Sequence, residues 1–120
     1  MRVIIADDEP SVRSALRLLL ENKSDIQVLA EASDSTGLIQ QIRSTCPDLI
    51  LLDWELPDGR PQDLIKLLHR LCPQLIIIVL SSHPQTKSVA LQSGVNYFIC
   101  KSEPPEQLLT VLNNCYNKIK

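Results

Sequence analysis

Five short runs rich in β-branched and aliphatic residues, at 2–6, 26–32, 48–53, 75–81 and 96–100, alternate with longer segments in which apolar residues recur at helical spacing. The period therefore switches along the chain between strand-like and helix-like. The first helical segment begins at Pro10, a favourable first-turn residue, and its apolar positions Val12, Leu16, Leu19 and Leu20 fall at i, i+4, i+7 and i+8. A second, at residues 35–46, turns Leu38, Ile39 and Ile42 inward. A third, at 61–72, carries Leu64, Leu67, Leu68 and Leu71 on its apolar face. Cys46 and Cys72 each precede a proline, which disfavours helix at the residue before it and marks both exits. The segment at 86–93 is short and polar and is closed by Gly94. The last helix starts near Ser102 or Glu103, accommodates Pro104 and Pro105 in its first turn, and carries Leu108, Leu109, Leu112 and Cys115.

Five strand–helix units in series call for a parallel sheet covered by helices on both faces, because each parallel crossover needs a helix and each sheet face needs cover. Right-handed crossovers leave few topologies, and a doubly wound five-stranded α/β sheet is the commonest for this count. The 120 residues suffice for one domain that buries roughly 65% of its unfolded surface. The expected organisation is one domain over 1–120, with the polar tail at 113–120 opening a linker.

Composition narrows the function. With 12 basic and 14 acidic residues the net charge is −2, so there is no basic excess to wrap DNA. The longest apolar runs, such as residues 75–80, are too short to span a membrane, and the N-terminus does not read as a signal peptide. Cys46, Cys72, Cys100 and Cys115 form no CxxC pair, and only His69 and His83 could join them, which argues against zinc. The expectation is four free thiols in a reducing cytoplasm, with Cys100 buried in strand five and Cys46 and Cys72 at helix exits on the rim away from the acidic residues.

In such a sheet the functional groups gather at the carboxyl ends of the strands. Those ends hold Asp7, Asp8 and Glu9 after strand one, Asp53 after strand three, Ser81 and Ser82 after strand four, and Lys101 after strand five. Taken singly, Asp7 and Asp8 read as a helix-capping pair, Asp53 as a turn residue, and Ser81 or Lys101 as ordinary surface. Taken together on one rim, they place several carboxylates, a hydroxyl and one ammonium group side by side. Converging carboxylates must pair, protonate or bind a cation, and an oxygen-only set suits a hard ion such as Mg²⁺. The set reads as a site for phosphoryl transfer to an aspartate, with Asp53 as nucleophile and Lys101 neutralising charge.

The stretches IIADDEP (4–10), DLILLDWELPDG (48–59), IVLSSH (78–83) and NYFICK (96–101) resemble the receiver domain of two-component response regulators over essentially the whole chain. The resemblance implies the strand order 2-1-3-4-5. It implies Asp53 as phospho-acceptor, Asp7 and Asp8 as the acidic pair, and Mg²⁺ (or Mn²⁺) held by Asp7, Asp8, Asp53 and the backbone carbonyl of Glu55. It further implies Ser81 and Lys101 as phosphoryl contacts, and Phe98 as a rotamer switch coupled to Ser81. Implied partners are a sensor histidine kinase, a second copy of the chain on phosphorylation, and DNA only through a further C-terminal domain. The segments LSSH (80–83) and KSEPPEQLL (101–109) are most similar to LuxR/NarL-type transcription regulators. The domain would catalyse only its own phosphorylation and dephosphorylation.

Three features depart from the usual pattern: Asp58-Gly59 follows Leu56-Pro57 directly, Trp54 is bulky beside the acceptor, and Tyr97 adjoins Phe98. Strand alternation sends Tyr97 and Phe98 to opposite faces, so only one can approach Ser81. Two alternatives come from other classes. A haloacid-dehalogenase-type phosphatase needs Asp-x-Asp after strand one, which Asp7-Asp8-Glu9 does not supply. A non-phosphorylated pseudo-receiver would act only as an interaction module.

Overall fold

The computed structural model describes residues 1–119. Along the chain the elements are β1 (Arg2–Ala6), α1 (Pro10–Glu21), β2 (Gln27–Ala32), α2 (Ser35–Thr45), β3 (Leu49–Asp53), α3 (Pro61–Leu71), β4 (Ile76–Ser81), α4 (Lys87–Gln92), β5 (Tyr97–Cys100) and α5 (Pro105–Ile119). A 3₁₀ turn at Pro84–Thr86 leads into α4. All strand pairs are parallel, and the order is β2-β1-β3-β4-β5. Each strand end agrees with the sequence reading to within one residue, because the alternation of apolar residues stops where the ladder stops.

Two cores lie on the two sheet faces. Ile4, Ala6, Ile50, Leu52, Ile77 and Val79 face α2, α3 and α4 through Leu38, Ile42, Leu64, Ile65, Leu68 and Ala90. Val3, Ile5, Leu49, Leu51, Ile78, Leu80 and Ile99 face α1 and α5 through Leu20, Leu108, Leu112 and Cys115. Central β3 is buried along its whole length, as a strand covered on both faces must be. On α1 only Leu20 is fully buried, while Val12, Leu16 and Leu19 are half-buried. The periodicity marks the correct face of that helix but overstates how deeply it sinks.

Three expectations are adjusted. α5 continues through residues 113–119 to Ile119, so the tail read as a linker opening is helical as far as it is described, and Lys120 lies outside the described residues. The last helix starts at Pro105 rather than near Ser102 or Glu103, since proline is best tolerated at the first helical position.

The third correction concerns the thiols. Cys46 and Cys72 form a disulfide, whereas Cys100 and Cys115 are free and buried. Both bridged cysteines do sit at the helix exits on the rim opposite the acidic residues, and it is their distance, not the compartment, that decides the pairing. The two Cys-Pro exits end neighbouring helices of the same layer and bring the Cα atoms to 5.8 Å, inside the range a bridge requires. Cys46 also caps α2 in the left-handed region at φ 39, where glycine or asparagine is usual.

Burial on α1 separates two neighbouring leucines: Leu20 is fully buried, whereas Leu18 is 66% exposed. Leu20→Ala is expected to cost about 2–5 kcal/mol and Leu18→Ala within about 0.5 kcal/mol, read from urea unfolding midpoints. Equal losses would contradict the placement of this helix.

Candidate functional site

The carboxyl ends of β1, β3 and β5 bring Asp7, Asp53 and Lys101 together. Alternation points all three toward the α1–α5 side of the sheet, since Ile5, Leu51 and Ile99 two residues earlier face that way. Asp7 and Asp53 are 1% and 3% exposed. Lys101 Nζ lies 2.9 Å from Asp7 Oδ2 and 3.3 Å from Asp53 Oδ1. Asp8, exposed on the loop, completes a set in which one carboxylate oxygen from each of the three aspartates lies within 4.8 Å of the others.

Each buried carboxylate is anchored by the same local device. Glu9 N–H donates to Asp7 Oδ1, and Glu55 N–H donates to Asp53 Oδ1, both at 2.9 Å. Such turns back onto the residue two positions later are an aspartate speciality. They fix one oxygen and leave the other free. Asp7 Oδ2 is sealed from solvent and, apart from its ion pair with Lys101, receives no hydrogen bond. Asp53 Oδ2 accepts no hydrogen bond and is not sealed from solvent. The capping reading of Asp7 and Asp8 is overturned: the N-cap of α1 is Glu9, and no side chain caps it.

Burial pushes the Asp53 carboxyl up to about 6. The Glu55 amide and the Lys101 ammonium pull it down, and the Asp7 carboxylate raises it further. Burial also works against the Lys101 charge, but Asp7 and Asp53 outweigh it and raise that pKa. A buried oxygen met only by the Lys101 ammonium, an open neighbour and a third exposed carboxylate form a donor set that fits a hard divalent cation. All the clustered donors are oxygens, with no imidazole or thiolate among them.

Ser81 stands apart from this group. Its Oγ donates to Glu55 Oε2 at 2.9 Å and accepts from His83 N–H at 3.0 Å. Glu55 also meets Ser82 Oγ at 3.3 Å and lies 3.5 Å from His83 Nδ1. Ser81 and Val79 share the face opposite to Asp53, and Phe98, in register with Val79, packs half-buried on that same face. Tyr97 packs on the other face, where Lys118 Nζ donates to its hydroxyl at 3.2 Å. Trp54 does not screen the acidic group: it is 8% exposed and packed in the α2–α3–α4 core.

Sequence reasoning assigned Glu55 only a backbone role and missed the latch made by its side chain. The available signal was an acidic residue in the turn after β3, facing a run of two serines after β4. It also missed Arg13, whose guanidinium donates to the Asp7 carbonyl at 2.7 Å while pairing with Glu31 at 3.1 Å. Beyond Asp53, the loop reverses through Asp58 and Gly59 at φ 76 and 125 and is tied to α2, where Ser35 N–H donates to the Pro57 carbonyl at 3.1 Å.

This fold and rim define a class: the chain belongs to the response regulator receiver domain family, whose model matches residues 3–113. It is 35% identical over 111 residues to the uncharacterized transcriptional regulatory protein YhcZ of Bacillus subtilis, covering 91% of this chain and 52% of that protein. It is 30% identical over 113 residues to the nitrate/nitrite response regulator protein NarL of Escherichia coli K12, covering 92% and 52%. The structure of RcsB from Salmonella enterica serovar Typhimurium, bound to promoter rprA in the presence of phosphomimetic BeF₃⁻, superposes with a TM-score of 0.90 at 32% identity, covering 98% of this chain and 60% of that one. The chain is thus a response regulator receiver domain, and it spans about half the length of the curated relatives it matches. No helix among the described residues is long and apolar enough to cross a membrane.

The raised Asp53 pKa has a definite sign in stability. A folded value near 6 against an unfolded value of about 3.9 means the native state binds more protons between those pH values. Stability therefore falls as pH rises through that window, and the ionised carboxylate is a net cost above it. Asp53→Asn is expected to stabilise the metal-free chain by about 1–3 kcal/mol at pH 7.5 and to give little gain at pH 4, measured by urea unfolding. An equal effect at both pH values would contradict the burial of this charge.

Proposed function

We propose that the chain is a phosphorylation-activated switch in which Asp53 accepts a phosphoryl group from the phosphohistidine of a sensor histidine kinase. The observation that carries the reading is the state of the Asp53 carboxylate. One oxygen is held by the Glu55 amide and faces Lys101, while Oδ2 is free and unsealed at the end of the most buried strand.

Oδ2 attacks phosphorus, the bond from phosphorus to the donor histidine breaks, and an acyl phosphate forms. Lys101 stands between Asp7 and Asp53, where its charge offsets that arriving on the phosphoryl oxygens. Asp7, Asp8 and Asp53, with the Glu55 carbonyl, would hold Mg²⁺ or Mn²⁺, which would supply further positive charge for the transferred group. Ser81 leaves Glu55 to donate to a phosphoryl oxygen. Phe98, on the same face of the neighbouring strand, follows it and alters the surface of α4, β5 and α5. Water later cleaves the acyl phosphate and restores Asp53. Beyond this self-directed chemistry the domain turns over no substrate.

The LuxR/NarL kinship supports transcription regulation as the output, delivered by a further C-terminal DNA-binding domain of the parent protein, with a homodimer formed on phosphorylation and a cytoplasmic location. The promoter-bound RcsB relative, with its phosphoryl mimic, is in keeping with that reading.

Incubation with acetyl phosphate and Mg²⁺ is expected to add about 80 Da, the mass of one phosphoryl group, to the intact chain but not to Asp53→Ala. Lys101→Ala is expected to retain some mass gain without the spectroscopic change at Phe98. A hydroxylamine-labile phosphoryl group on Asp53→Ala would overturn the assignment. Mg²⁺ is expected to change the fluorescence of Trp54, the residue next to Asp53, and Asp8→Asn to weaken that response about tenfold, a loss of ~1.4 kcal/mol. An unchanged response would remove Asp8 from the metal ligands.

A further inference from the structure

On the rim opposite the acidic residues, the disulfide between Cys46 and Cys72 closes a covalent ring that contains all of β3, Asp53 and α3. We propose that this pair is a reversible thiol–disulfide site, exchanging with small thiols and their disulfides, and that its redox state sets whether the segment carrying Asp53 is covalently closed.

Four observations carry the proposal. The bridge lies in a surface cavity of about 630 Å³, so it is open to a small molecule rather than sealed in a core. The cavity is lined by Arg2, Lys118, Gln74 and Asp48 as well as the two cysteines. Arg2 already pairs with Asp48 at 3.7 Å, whereas Lys118, which donates to the Tyr97 hydroxyl, has no carboxylate partner among the described residues and can meet the carboxylates of an incoming peptide thiol. Second, the two sulfurs are unequal. Cys46 is exposed and Cys72 is 5% exposed, so an attacking thiolate reaches Cys46.

Third, the geometry accommodates both states. Proline follows each cysteine and fixes each helix exit, and the Arg2 guanidinium holds the Thr45 and Cys46 carbonyls at 3.3 and 2.9 Å. These restraints do not depend on the bridge. Cys46 Sγ also lies 3.5 Å from the Leu71 carbonyl, an acceptor that the reduced thiol can use. Fourth, the chain keeps a cysteine at the left-handed cap of α2, a position that glycine fills with less strain. In the cytoplasmic setting proposed above, a bridge is made and broken rather than permanent.

The exchange balances. One small thiolate attacks Cys46 Sγ, forms a mixed disulfide there and expels the Cys72 thiolate. A second small thiolate attacks the outer sulfur of the mixed disulfide, releasing the Cys46 thiolate and a small disulfide. Two electrons pass from the two small thiols to the pair, and oxidation by a small disulfide is the reverse.

The test equilibrates the whole chain in buffers of graded reduced-to-oxidised glutathione ratio, quenches with acid, alkylates in denaturant and reads each cysteine by peptide mass. Cys46 and Cys72 are expected to lose alkylation together, with one midpoint, through a bond within one chain, while Cys100 and Cys115 remain alkylated throughout as internal standards. In Cys46→Ser, Cys72 is expected to stay alkylated at every ratio. The proposal is overturned if Cys46 and Cys72 stay alkylated in the most oxidising buffer, if the bridge survives the most reducing one, or if Cys46 only carries glutathione while Cys72 stays free. None of these outcomes depends on Asp53, so the phosphoryl-transfer reading stands or falls separately.

Discussion

A single ammonium ion serves two buried carboxylates, and the rest of the site is arranged around that shortage of positive charge. Asp7 and Asp53 come from strands paired in the sheet, and Lys101 arrives from the far side of β4. Only a parallel sheet sends all three chain ends to one rim, which is why the topology and the chemistry cannot be separated. Burial disfavours ionisation, and Lys101 relieves it incompletely, leaving Asp53 with a raised pKa and Asp7 with a sealed oxygen whose one partner is the Lys101 ammonium. A site short of positive charge, with carboxylates held rigidly by their own turns, is preorganised for a cation and, on the proposed reading, for a transferred anionic group beside it.

The second half of the rim is neutralised differently. Glu55 leaves the acidic group and fastens onto Ser81 and Ser82, so the hydroxyl expected to meet a phosphoryl oxygen is occupied. Ser81 and Phe98 share one sheet face, and that face leads to α4, a six-residue helix that begins in a 3₁₀ turn and leaves Val89 and Leu91 exposed. An element this short and thinly packed is the part of the domain that can rearrange at least cost. Asp53, by contrast, sits at the end of a strand buried throughout. A rigidly held Asp53 carboxylate beside the thinly packed α4 is the arrangement the proposed switch requires.

Much of this was legible in the sequence, because the pattern that forms a strand also ends it. The aspartates, serine and lysine at 7, 53, 81 and 101 were found by asking which residues follow each apolar run. What stayed hidden depends on distances between elements. The turn that anchors Asp53 is local and could be anticipated, but the reach of the Glu55 side chain to Ser81 spans two strand ends. The Cys46–Cys72 bridge needs two helices side by side, and no spacing rule brings together residues 26 apart. The sequence carries the last helix as far as Cys115, but the mostly polar run at 113–119 masks its continuation, and the fully buried Cys115 ties that segment to the sheet.

The acceptor can be read directly by reducing the freshly phosphorylated chain with borohydride, which converts an acyl phosphate on aspartate to homoserine, and locating the change by peptide sequencing. Homoserine at position 53, with Asp7 and Asp8 intact, is the expected result. Homoserine at position 7 or 8, or none in a chain that has gained phosphate, would contradict the central claim that the free oxygen of Asp53 is the nucleophile.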